Sequence, residues 1–166
     1  MKGRTPCVIA SIVAVLALAA VPAAALGKPG GTDRPLKGSG VATDTVDLAT
    51  GKGSGQGPAV ISHLGKGTFR HSFTIAFTGP STFTVIGTET LIAANGDEVH
   101  ATVTGTGTLN GSQGDVEVVI TITGGTGRFA DASGTLIGRF SAETVSAVGG
   151  TIVNRDAFTL EGRISY

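Results

Sequence analysis

The residues best suited to chemistry are few and scattered: three histidines, a handful of carboxylates and one glycine-rich loop. His63, His71 and His100 are spread too widely, with no cysteine or carboxylate framework close by, to match a known metal-ligand spacing. No metal site is expected. His71 and His100 both lie in alternating segments, however, so pairing of neighbouring strands would allow them to meet, and each is a candidate catalytic residue. His71 shares its face with Phe69, Phe73 and Phe77, where a histidine also serves as hydrogen-bonded core filler.

Among the carboxylates, Asp97 and Glu98 flank an Asn95-Gly96 turn, and Asp115 and Glu117 share one face of a strand. Acid/base pairs must face a substrate from opposing positions, which sequence neighbours do not. Glu89 is more suggestive, because it has the parity of Phe83, Val85 and Leu91 and would be a buried acid of raised pKa if that face points inward. A bulge at Gly87 would instead return it to solvent. Asn154 and Asp156 share parity with Phe158 and Leu160 and are candidates for binding a ligand. No serine stands at the centre of a G-x-S-x-G turn. Arg128, Arg139, Arg155 and Arg163 occur singly, which is no footprint for nucleic acid. Asn110-Gly111-Ser112 fits a glycosylation acceptor.

The loop Thr123–Gly134 reads TGGTGRFADASG and contains Gly125-x-Gly127-x-x-Ala130, the spacing of a dinucleotide-binding turn. Such a turn needs a helix to run on from the third small residue, so that pyrophosphate meets the helix N-terminus. Here Ser133-Gly134-Thr135 and Ile137-Gly138 follow, which make a poor helix and a plausible strand. Glu143 stands roughly where a ribose-binding acid would be expected, but no βαβ pattern surrounds it. No cofactor is expected. Gly124, Gly125 and Gly127 are read as backbone-geometry positions, with Phe129 as the side chain that pins the loop to the core.

The elements that must position these residues are strands. Twenty-seven glycines and abundant Thr and Val leave little room for long helices. Alternation with period two is clearest over Phe69–Phe77 and Val116–Ile122. It recurs around Val99–Thr104, Phe83–Val85 and Ile152–Ile164, with further strands near Leu36–Leu48 and Ala59–Leu64. Gly79-Pro80, Asn95-Gly96, Asn110-Gly111 and Gly149-Gly150 mark tight reversals, so consecutive strands should be antiparallel neighbours. About eight short strands make a sandwich or a barrel, and closure removes edges that a Thr/Val-rich sheet would otherwise expose.

The first residues give an address. Lys2 and Arg4 precede an apolar stretch from Val8 to Val21, then Pro22 and Ala23-Ala24-Ala25. This reads as a secretory signal peptide over residues 1–25, with an uncleaved membrane anchor as the alternative. Secretion, to the periplasm or cell envelope or beyond, is therefore expected, with no membrane association after cleavage. Cys7, the one cysteine, would be removed, leaving a cysteine-free mature chain. Basic and acidic residues number 12 each, so losing Lys2 and Arg4 leaves the mature chain slightly acidic. Residues 26–34 are expected to be a flexible leader, and 35–166 a single barrel domain.

The string Gly124-Gly125-Thr126-Gly127-Arg128-Phe129, followed by Ala132 and Gly134, resembles the GGTG-x-F-x-x-A-x-G motif of the dirigent and allene oxide cyclase superfamily. Arg34-Pro35-Leu36-Lys37-Gly38, Ser62-His63-Leu64-Gly65-Lys66 and Ala93-Ala94-Asn95-Gly96-Asp97 are similar to landmarks of its small exported bacterial members. The resemblance implies an eight-stranded antiparallel β-barrel with a central cavity, and homo-oligomers among the plant relatives. It does not carry over the plant enzymes' chemistry, because their acid, arginine and asparagine pocket residues match no motif here. The leading expectation is an all-β, non-catalytic barrel that binds a small hydrophobic ligand or serves a structural role. The alternatives are a cyclase, isomerase or dirigent-type enzyme that confines a reactive intermediate in a cavity of several hundred cubic ångströms, and a cell-envelope interaction module.

Overall fold

A computed structural model describes residues 31–166; the expected signal peptide and most of the leader fall outside them. Eight strands follow one another: β1 (Asp33–Asp47), β2 (Lys52–Ile61), β3 (Gly65–Phe77), β4 (Thr82–Ile92), β5 (Glu98–Asn110), β6 (Gln113–Gly125), β7 (Ser133–Val148) and β8 (Thr151–Ser165). Each pairs antiparallel with the next, and β8 returns to pair with β1 from Asp33↔Ser165 to Asp47↔Thr151. The sheet is a closed barrel, as alternation and turn chemistry led one to expect. β1 begins at Asp33, inside the stretch read as leader, because β8 is long enough to pair with it there.

The least legible strand is β2. Its inward positions are Gly53, Gly55, Gly57, Ala59 and Ile61, so the apolar half of its alternation is missing where glycine stands in. Those glycines are required by their neighbours: a Cβ on Gly53 would enter the Phe73 ring, and one on Gly55 would lie 1.7 Å from the Asp44 carboxylate.

The up-and-down order puts the β1–β2, β3–β4, β5–β6 and β7–β8 turns at one end of the barrel. The other three connections and both ends of the domain lie at the opposite end. The second end is plugged. Leu36, Phe69, Val99, Ile122, Leu136 and Ile164 fill its interior with essentially no exposure. The β6–β7 connection carries Phe129 beneath them, fully buried and edge-on to Tyr166 at 4.8 Å between ring centres.

That connection is the glycine loop, and it holds no α-helix. A single 3₁₀ turn, Gly127–Phe129, ends at Ala130, and β7 follows. Gly127 has φ 55°, and the Asp97 carboxylate occupies the space a Cβ would need. Asp97 also faces the Arg128 amide at 3.5 Å, while the Glu98 amide donates to Thr126 Oγ1 at 2.8 Å. The negative group the loop receives is thus the chain's own, delivered by the β4–β5 turn. The Arg128 guanidinium donates to the His63 carbonyl, and His63 Nε2 meets the Pro35 carbonyl oxygen at 2.9 Å, which ties three closed-end segments together.

Candidate functional site

Register builds the site. Reading around the barrel wall, Thr144 on β7 stands opposite Asn154 on β8, Asn154 opposite Asp44 on β1, and Asp44 opposite Gly55 on β2. Gly55 in turn faces His71 on β3, and His71 faces Glu89 on β4. In a barrel, directly paired residues share a face, so these side chains form one polar belt on the inner wall. Gly55 is the gap in it, and through that gap His71 Nε2 reaches Asp44 Oδ1 at 2.9 Å across an intervening strand. Thr144 Oγ1 donates to Asn154 Oδ1 at 2.9 Å. Asp156 lies a layer deeper on β8, between Ala42 and Ala142.

Glu89 is 2% exposed, and β4 pairs without interruption through Gly87 to both neighbours. No bulge turns it outward, so of the two expectations for Glu89 the inward one holds. The β-bulges of the barrel lie elsewhere, at His100/Ala101 opposite the glycine loop and at Thr144/Ser146. Burial without a charged partner raises the Glu89 pKa to about 8, because the ionised form loses its hydration. The Asp156 pKa is also raised, first by burial, then by the hydrogen bond its protonated form donates to the neighbouring Asp44 carboxylate, and by repulsion from that carboxylate's charge. Glu89 Oε1 and Asp156 Oδ1 are buried with no hydrogen-bond partner among the described residues.

His71 and His100 do not meet. His71 points inward, edge-on to Phe69 and Phe73 at 4.7 and 5.0 Å and stacked on Phe140 at 6.1 Å. His100 has the opposite parity and sits outside, with Nε2 2.8 Å from Glu98 Oε2, while Arg70 holds the other Glu98 oxygen at 3.0 Å. That hydrogen bond from His100, ahead of the nearby charges, lowers the Glu98 pKa. The sheet itself separates the two histidines, so His100 drops out of any interior chemistry. Asp115 and Glu117 are also exterior, and Glu117 pairs with Arg139 at 3.0 Å.

Above the belt is a cavity of about 190 Å³, walled chiefly by Phe73, Phe83, Val103 and Phe140. It opens between Leu48, Phe77, Leu109 and the β5–β6 turn. The floor is polar and the walls are apolar, an arrangement that orients a small ligand by its head group. Chemically, a protonated Glu89 can donate a hydrogen bond or a proton, and Asp44 fixes the orientation of the His71 ring. Asp44, Thr144 and Gly55 escaped the sequence reading. Asp44 carried a usable signal, since it shares parity with the inward Ala42 and Val46.

No family model, curated protein or solved structure matches the chain. The barrel and its polar-floored cavity therefore stand on their own geometry.

Proposed function

We propose that this protein is an exported, non-catalytic barrel of the dirigent and allene oxide cyclase-like kind that binds one small, largely apolar molecule. One observation carries the reading: an apolar cavity, open at one end, has at its floor two buried carboxyl oxygens that nothing among the described residues satisfies. A buried polar group without a partner costs roughly 1–3 kcal/mol, and a ligand that supplies the partner recovers much of it. The ordered landmarks from Arg34 to Gly134 and the closed eight-stranded meander support the kinship, and the amino-terminal pattern supports export.

The test is native mass spectrometry of the mature protein purified gently from its own host. A retained small molecule that is lost on denaturation supports binding. A mass equal to the bare polypeptide, together with failure to take up toluene or any other small apolar probe, sinks it. A second reading, catalysis by confinement, draws on the His71–Asp44 pair beside a proton-bearing Glu89. Against it stands the cavity's size, below the several hundred cubic ångströms expected for holding a reactive intermediate of any length.

A further inference from the structure

The ionisable groups that face the cavity are Asp44 from β1, His71 from β3, Glu89 from β4 and Asp156 from β8. β2, β5, β6 and β7 contribute none, and no lysine or arginine among the described residues lines it. Three acids therefore face one imidazole. His71 is taken by Asp44, which leaves Glu89 and Asp156 without a basic partner. What such a site lacks is a hydrogen-bond donor carrying positive charge. The Phe73 and Phe140 rings beside the floor add surfaces that attract a cation once water is excluded.

We propose that the cavity takes a small primary amine as its ammonium ion, with the head group against the Glu89 and Asp156 carboxylates and an aromatic or branched alkyl body among Phe73, Phe83 and Phe140. This inference rests on the binding reading above and names its ligand class. Size agrees: an apolar cavity of about 150 Å³ accommodates benzene, so the 190 Å³ here suits a body of that order with a short amine arm.

Protons distinguish the amine from a neutral ligand. An ammonium ion calls for an ionised carboxylate, so binding it releases a proton and strengthens as pH rises toward the raised pKa values of Glu89 and Asp156. A neutral acceptor takes its hydrogen bond from the protonated acid, and its binding weakens over the same range.

The experiment is titration calorimetry of the mature protein with 2-phenylethylamine, 2-phenylethanol, 3-phenylpropanoate and toluene near pH 6 and pH 8.5, in two buffers of different ionisation enthalpy. The amine should bind best, more tightly at the higher pH and with proton release. Glu89→Gln and Asp156→Asn should each weaken it about tenfold or more, with circular dichroism and thermal melting verifying that the variants are folded. If the alcohol, the carboxylate or toluene binds as well as the amine or better, the amine class is overturned and the pocket stands. If none of the four binds, both readings fall.

Discussion

The two ends of this barrel are made of the same strands and differ in what crosses them. At the closed end, the connection over residues 126–132 is long enough to carry Phe129 across the opening, and Leu64 and Ala132 complete the plug. At the open end the connections are tight reversals such as Asn110–Gln113 and Val148–Thr151, too short to reach over the mouth. Leu48, Phe77, Leu109 and Val148 are left exposed around it. Loop length therefore decides which end is a core and which is a cavity, and the polar belt marks the boundary between them.

If that contrast is right, truncation at the plug should matter most. Phe129→Ala should cost about 3–5 kcal/mol, as expected for a buried aromatic whose site cannot collapse, and denaturant unfolding measures it. A loss below about 1 kcal/mol would mean the plug is not a packed core.

At the boundary, the sign of pH dependence is the sharper probe. Glu89 has its folded pKa pushed up to about 8 from an ordinary 4.5, so the folded state binds an extra proton between those limits. Its stabilisation is complete below about pH 4.5, declines as pH rises and levels off above about pH 8, with a slope of at most about 1.4 kcal/mol per pH unit. Asp156 acts in the same direction. Glu89→Gln should flatten much of the fall and leave the protein more stable than the parent at pH 8, by a few kcal/mol at most. Thermal melts from pH 5 to 8.5 decide it, and an unchanged slope would remove Glu89 from the interior.

Gly55→Ala should be smaller but specific. Its methyl would fall on the Asp44 carboxylate and within 2.8 Å of His71 Nε2, driving that pair apart for about 1–3 kcal/mol. The His71 ring resonances should move in NMR spectra recorded at one fixed pH, because the ring loses its contact with Asp44. At the rim, Phe77→Ser should change stability by no more than about 0.5 kcal/mol, since Phe77 is already 55% exposed. A large loss there would show that the mouth is packed in solution.

Most of the fold was legible because a barrel writes itself locally. Phe69–Phe77 and Val116–Ile122 alternate, and Asn95-Gly96, Asn110-Gly111 and Gly149-Gly150 have the chemistry of tight reversals. β2 was read too short because glycine erases alternation, and the reason for those glycines lies in Phe73, Asp44 and His71 on other strands. Glu89, Asn154 and Asp156 were recognisable by parity, and so was the exterior place of His100, whose parity is opposite to the inward Val99, Ala101 and Val103, although the pairing with His71 set that signal aside.

The chain by itself determined strand identity, the order of turns and the parity of each side chain, because these depend on residues within a few positions of one another. Only the tertiary structure decided that Thr144, Asn154, Asp44, His71 and Glu89 fall on one ring, and which end is plugged. Ring membership depends on register summed around the closed wall, from β7 through β8 and β1 to β4, and each step is set by turns and closure rather than by the residues that meet.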